Sequence, residues 1–433
     1  MSQYQPARGM RDFLPEDAQK MRHVEQTARQ LADLYGYEEV ITPVVESHEL
    51  LAAKAGEEIR LRMYTFNDLA GRKLALRPEF TPSLARLVAT KLRTAPKPLK
   101  LFCIGSLYRY DEPQFGRFRE FWQANYELMG SNKPEADAEI LTITSDLLHR
   151  LGLCNFYLKI GHVGIIRGIL TQEDIVEDQQ NQIMQLLDHK QWEDALTAIE
   201  KLGATQHCQT TLKNLFETKG KDTDRTLKKI KQTVKAYEKA TAATENLQQI
   251  LDLAQKSGIQ HETLIEAGFA RGLEYYTGMI TEAYVPELEG LALGGGGRYD
   301  KLIELFGGEP TPAVGVAMGP DRIVLATEKQ NINLTQKKEN RILVVPIKPE
   351  MKTQAFEIAS KLRRQGIVAE IEVMGRELSK ALADADRRGF THAVIAAPKE
   401  AKEDKVILRN LKKHEQKTIK TNELVNEIQA QQK

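Results

Sequence analysis

The sequence predicts a mixed α/β (α+β) chain in two parts: an antiparallel-sheet core carrying an inserted helical domain, then a smaller C-terminal α/β domain. Three observations predict it. Residues 101–130 read as two apolar strands joined by a polar turn. Residues 170–250 turn to Gln, Lys, Glu and Thr with few aromatics and a helical period. After residue 340, β-rich runs alternate with amphipathic ones, the pattern of a mainly parallel sheet. The expected boundaries are a core over 1–330 with the insert at 170–250, and a second domain over 331–433.

A length of 433 residues is enough for two or three domains with full cores. Hydrophobic residues at 41% with 28% charged are the proportions of a globular protein. No run reaches the roughly 18 apolar residues of a membrane span, and the N-terminus lacks a signal-peptide core, so no membrane partner and a cytoplasmic location are expected. Cys103, Cys154 and Cys208 are widely spaced and form no CxxC, which suggests a reducing compartment without structural zinc. The net charge of +1 hides an asymmetry: residues 331–433 hold 21 Lys+Arg against 14 Asp+Glu, and the remainder 40 against 46. A basic C-terminal part is what a polyanion-binding domain shows, and equally what Lys-rich solvated helices show.

Taken in order, residues 17–36 have helical spacing closed by Gly36. The run 38–47 is a β-branched strand with Pro43 inside it, a sign of an edge or a special interface. Residues 63–68 and 73–77 form a hairpin around Ala70-Gly71 and lead into Arg77-Pro78-Glu79-Phe80-Thr81-Pro82. The two prolines stiffen the backbone at Glu79 and Thr81. A carboxylate and a hydroxyl held there suit a substrate ammonium, or cap the helix that starts near Pro82.

The return strand of 101–130 is the informative one. Side chains alternate, so Phe121, Gln123, Asn125 and Glu127 share one face, while Trp122, Ala124, Tyr126 and Leu128 share the other. Burying two amides and a carboxylate without partners costs about 1–3 kcal/mol each, so this stripe either meets a polar ligand or faces solvent. Arg109, Arg117 and Arg119 around the same turn favour an anionic ligand. A helix over 135–152 and a strand over 155–162 precede the insert, whose middle (205–240) carries nine Lys/Arg against four Asp/Glu. That is a solvated face or a nucleic-acid contact.

The β pattern resumes at Ile265 and runs into Arg271-Gly272-Leu273-Glu274-Tyr275-Tyr276. Gly294–Gly297 with Arg298-Tyr299-Asp300 is neither a P-loop nor a dinucleotide fingerprint; it permits close approach to the backbone, or is a bulge. Residues 311–322 form a strand entering a helix with Pro320 at its start. Arg322 then falls in the first turn, where the dipole disfavours a cation by about 0.3–1 kcal/mol unless an anion is near. A polar linker over 331–340 precedes strands at 341–346, 367–373, 391–397, 404–409 and 416–420, with helices at 350–365 and 376–388 and a final helix.

Arg109 followed by Gly-Arg-Phe-Arg-Glu-Phe-Trp-Gln-Ala-Asn-Tyr-Glu resembles motif 2 of the class II aminoacyl-tRNA synthetases, in its histidyl-tRNA synthetase form. Trp122 stands where that family usually has His, on the face away from the polar stripe. Leu-Arg-Pro-Glu-x-Thr at 76–81, the Arg271–Tyr276 string (with Glu274 for the usual Asp) and the 311–322 segment, similar to motif 3, carry the same resemblance. It implies a class II catalytic core and an anticodon-binding domain. It implies ATP-dependent activation of histidine to an adenylate, transfer to tRNA(His), and Mg2+ bound with ATP. By the same likeness, Glu79, Thr81, Gln123, Glu127, Arg271, Tyr275 and Tyr276 bind histidine, and Arg109, Arg117, Phe121 and Arg322 bind ATP. Arg109 and Arg271 serve catalysis, and a motif 1 proline, here Pro43, places a homodimer interface. Regulatory subunits of ATP phosphoribosyltransferase resemble the same core, but they lack the anticodon domain and often lose adenylate-site residues.

Overall fold

The computed structural model describes residues 4–53, 55–258, 262–271, 275–335 and 341–430. The chain divides into two compact units, Met1–Thr335 and Gln336–Lys433.

The first unit is built on one sheet. Its centre comprises β1 (Leu99–Tyr108), β2 (Glu120–Met129), β3 (Tyr157–His162), β4 (Met279–Tyr284), β5 (Gly294–Arg298) and β6 (Ala313–Met318). They lie in the order β1-β2-β6-β5-β4-β3, every pair antiparallel. Short strands extend both edges: Glu38–Glu39 beside β1, and Glu262–Glu266 then Lys219–Gly220 beside β3. The face of β2 that reads as core does pack as core. Tyr126 is fully buried against Tyr37 and Phe102, and its hydroxyl donates to Ala28 O at 2.9 Å, within the helix Pro15–Tyr35.

One sequence expectation changes. The run 38–47 is not one strand: Glu38–Glu39 joins the large sheet, while Val45–Ser47 joins a three-stranded sheet with Thr65–Asn67 and Lys73–Leu76. Pro43 lies between them, without an N–H to give to a ladder. The carbonyls of Thr42 and Pro43 instead accept from the Arg77 guanidinium at 2.8 and 3.4 Å. The 170–250 segment is helical, in helices from Glu177–Asp188 to Glu238–Lys256, yet its buried side chains belong to the same hydrophobic cluster as the sheet. It also contributes Lys219–Gly220 to the sheet edge.

A buried ion pair ties the sheet to the helix Pro134–Arg150. The Arg298 guanidinium meets both oxygens of Asp137 (Nη2–Oδ2 2.5 Å) and donates to Ser131 O and Asp300. Asp300 in turn accepts from the Thr277 hydroxyl, so this network fixes the residues on either side of Tyr276 and Tyr299.

In the second unit, β7 (Arg341–Pro346), β8 (Val368–Ile371), β9 (His392–Ala396), β10 (Lys405–Asn410) and β11 (Glu415–Lys420) lie in the order β8-β7-β9-β10-β11. The first two pairings are parallel and the last two antiparallel. Strand alternation feeds two cores. Ile342 and Val344 pack with Ala355, Ile358 and Leu362 of one helix; Leu343 and Val345 pack with Ala381 and Ala385 of another.

Asp137→Ala takes the bidentate partner from the buried Arg298 and leaves it the half-exposed Asp300, which should destabilise the first unit by about 3–5 kcal/mol. A urea-unfolding midpoint equal to the parent's would show that Ser131 and Asp300 suffice.

Candidate active site

The polar stripe of β2 is buried in the middle of the sheet. Glu127 is 1% exposed and Asn125 1%. Room for the Glu127 carboxylate comes from its cross-strand neighbour on β6, Gly315: a Cβ there would lie 1.7 Å from Oε2. Three neutral donors hold the carboxylate. Oε1 accepts from the Thr81 hydroxyl at 3.0 Å and Asn125 Nδ2 at 3.4 Å, and Oε2 from the Tyr299 hydroxyl at 2.5 Å. Burial, reinforced by the Glu79 charge, outweighs these donors and raises its pKa to about 7.

Glu79 enters the same cleft from the start of the helix Thr81–Thr90. One of its oxygens accepts from the Tyr275 hydroxyl at 2.9 Å, and burial raises its pKa as well. The other oxygen, Oε1, has no hydrogen-bond partner among the described residues, and neither do the buried Gln123 Oε1 and Asn125 Oδ1. All three residues line one narrow cleft, together with Arg271, Tyr275 and Tyr276. Unmet acceptors with carboxylates among them call for a ligand rich in N–H donors.

Beyond Gln123 the cleft opens into a pocket of about 330 Å³ lined by five arginines and five carboxylates. Arg109, Arg117, Arg271 and Arg322 line it, as does Phe121, with the Arg109 guanidinium 5.2 Å from the ring centroid. Arg322 donates to the carbonyls of Gly116 and Ala292 at 3.2 and 2.7 Å. Burial, then the charges of Arg109 and Arg117, push its pKa down to about 10. Cations crowded so closely raise one another's energy until an anion arrives. Arg271 bridges the two regions. Its contacts are long: 3.4 Å to Tyr276 Oη, Thr281 O and Gly296 O, and 3.5 Å to Glu282. Gly295 makes its place, since a Cβ there would meet Nη1 at 2.7 Å.

All eleven site residues expected from the sequence line one or both of these cavities. Gly272, Leu273 and Glu274, the last carrying the Asp-to-Glu departure, lie outside the described residues. Trp122 packs edge-on against Phe13 at 5.3 Å and is among the residues lining the larger pocket. Sequence reasoning missed Tyr299, whose only sign was its place directly after the Gly-rich run, and Asn125, which it had put on the right face without assigning it a role. Asp188 and Glu282 were also missed; they bring carboxylates to the larger pocket from the helical segment and from β4.

The histidyl-tRNA synthetase family profile matches residues 9–323, and the profile described as anticodon binding domain matches 341–431. A Methanocaldococcus jannaschii protein named Histidine--tRNA ligase is 42% identical over 427 residues, covering 98% of this chain and 99% of that one. A protein of the same name from Sulfurisphaera tokodaii is 37% identical over 430 residues, again 98% of this chain and 99% of the other. Among solved structures, histidyl-tRNA synthetase from Nostoc sp. PCC 7120 superposes with a TM-score of 0.79 at 23% identity, covering all of both chains. A Bacillus halodurans protein described as an ATP phosphoribosyltransferase regulatory subunit/histidyl-tRNA synthetase gives 0.76 at 25% identity, over 92% of this chain and 99% of its own. With one profile spanning most of the chain and full-length relatives at these identities, the chain belongs to the histidyl-tRNA synthetase family.

Proposed function

We propose that this chain activates histidine with ATP and transfers it to the 3′ end of tRNA(His). The observation that carries the reading is the pairing of an acceptor-rich cleft, with Glu79 Oε1 and Gln123 Oε1 unmatched among the described residues, to a pocket that five arginines line. An amino acid offers an ammonium to the first and a carboxylate towards the second, where ATP brings its phosphates.

In this reading Glu79, Thr81 and Gln123 take the ammonium, with Tyr275 orienting Glu79. Glu127 accepts an imidazole N–H, and the Tyr276 hydroxyl serves the other ring nitrogen. Phe121 stacks on adenine, Arg322 and Arg117 take the terminal phosphates, and Arg109 and Arg271 hold the α-phosphate. A carboxylate oxygen of histidine attacks the α-phosphorus, the bond to pyrophosphate breaks, and histidyl-adenylate remains. Two anions must meet, so the fixed arginines supply most of the acceleration by positioning and charge. Mg2+ fits as a companion of ATP: it is ordinarily bound through phosphates, waters and one or two carboxylates. Glu282 and Asp188 are among the pocket carboxylates that could hold it. When bound it offsets phosphate charge. The tRNA hydroxyl then displaces AMP from the adenylate, and the second unit binds the anticodon. The anticodon profile over 341–431 speaks against a regulatory paralogue. No described helix is long and apolar enough to cross a membrane, and the free cysteines suit the cytoplasm.

ATP–pyrophosphate exchange with each amino acid separately tests the reading, and histidine alone should support it. Glu127→Gln should raise the histidine KM by two orders of magnitude or more, because the site is built around a charged acceptor, while the ATP KM stays near the parent's. Parent-like histidine kinetics would remove Glu127 from recognition.

Arg271→Ala should lower the turnover of exchange by about 10²–10³ with a much smaller change in histidine KM, since its long ground-state contacts leave it free to tighten on the transition state. Unchanged turnover would exclude it from the chemistry.

A homodimer is proposed through the segment around Pro43. Ile41 is 92% exposed there, and Val44, Val45 and Phe66 are exposed beside it. A fragment ending at residue 335 should therefore sediment as a dimer and keep histidine-dependent exchange while losing most tRNA charging. A monomeric fragment with full exchange would refute the dimer, and undiminished charging would refute the role of the second unit.

A further inference from the structure

The segment Arg8–Phe13 is used by no step above, yet it is fastened across the turn between β1 and β2. Arg119 N–H donates to Gly9 O at 2.8 Å. Gly9 has φ +83°, and a Cβ there would lie 2.7 Å from Arg119 Cγ, so only glycine lets the two segments touch. Arg8 pairs with Glu112 in the turn. Further along, the Arg11 guanidinium lies over the Phe118 ring at 3.3 Å, and Phe13 meets Trp122 edge-on.

Arg11 also forms an ion pair with Asp321, whose side chain is 4% exposed. The other oxygen of Asp321 accepts the N–H of Trp122 at 2.7 Å. Asp321 therefore sits on the wall of the arginine-lined pocket, next in the chain to Arg322, holding the start of the polar stripe in place. A buried carboxylate in that position, left uncompensated, attracts the nearest cations. Arg322, the next residue, is such a cation: Asp321 already acts on its charge, which the pocket needs for its anion.

We propose that Arg11 is a positioning residue for ATP: it takes up the charge of Asp321 from outside the pocket and so leaves Arg322 to the phosphates. The inference rests on the nucleotide site proposed above.

The test uses the full-length protein in histidine-dependent ATP–pyrophosphate exchange. Arg11→Gln should raise the ATP KM about tenfold, the size of a typical coupling between contacting charged groups, with the histidine KM within about twofold of the parent's. Arg11→Lys keeps the charge but loses the planar stack on Phe118, so its ATP KM should stay near the parent's. Adding Asp321→Asn to Arg11→Gln should return the ATP KM to that of Asp321→Asn alone, because the charge to be offset is gone. Three results would each overturn the proposal: an unchanged ATP KM in Arg11→Gln; ATP and histidine KM rising together; or Arg11→Lys as impaired as Arg11→Gln. A double variant weaker than both single variants would do the same. A parent protein without histidine-dependent exchange would overturn the reading of the site instead.

Discussion

Everything in the catalytic unit is arranged around one buried carboxylate. Glu127 lies at the middle of the sheet, where an ion without partners is costly enough to take up a proton instead. Its three donors come from three separate parts of the chain: Thr81 at the start of a helix, Asn125 on the same strand and Tyr299 after β5. None is a cation. The group therefore sits near the boundary of ionisation, with a pKa of about 7, rather than locked in a salt bridge. A full counter-ion would hold the carboxylate charged but would also satisfy it, leaving nothing for a ligand to gain. Space is the second condition, and it explains the glycines. Gly315 makes way for Glu127, Gly295 for Arg271, and a Cβ on Gly296 would fall 1.9 Å from Gly315 O.

The two cavities store opposite electrostatic strain. In one, burial raises the proton affinity of Glu79 and Glu127, and the Glu79 charge raises that of Glu127 further; in the other, burial and the charges of Arg109 and Arg117 lower that of Arg322. A ligand that is cationic at one end and anionic at the other relieves both at once, so the site favours a zwitterion followed by a polyanion. Arg271, touching both regions through contacts of 3.4–3.5 Å, is the group that senses the two together. A loosely held guanidinium can tighten as charge develops, which is the differential binding that catalysis requires.

Rigidity comes from elsewhere. Arg298, clamped between Asp137 and Asp300, fixes the strand end that presents Tyr299. His162 caps the helix Val163–Gln172 by accepting from Gly164 N–H, and its other ring nitrogen meets Asn246 in the helix Glu238–Lys256. Burial drives its pKa down to about 4, so it stays neutral and the junction between sheet and helical segment does not respond to physiological pH. The buried apolar side chains of the helical segment continue the core of the sheet, which makes it a wall of the unit; Asp188 reaches the larger pocket from it.

By itself the sequence determined much of the local order. The alternation of β2 separated the Tyr126 core face from the Gln123–Asn125–Glu127 face, and the β/α rhythm after residue 340 foretold the strands and helices of the second unit within a few residues. Both depend on periodicities that any short segment carries within itself. Resemblance, not pattern, nominated the candidate site residues, which the fold then brought to the two cavities. What only tertiary structure decided were relations between distant segments. Pro43 read as part of one strand, yet the chain there divides between two sheets, because the donor its carbonyls meet is the side chain of Arg77, 34 residues on. Tyr299 was silent in the sequence because a tyrosine after a Gly-rich run shows nothing of the carboxylate 172 residues away that its hydroxyl will meet. Arg11 likewise looks like a stray cation near a terminus until folding sets it 310 residues away from its own position, against Asp321. Charge and hydrogen-bond capacity are written in each residue, but their partners are chosen by the fold, since only packing decides which buried groups must satisfy one another.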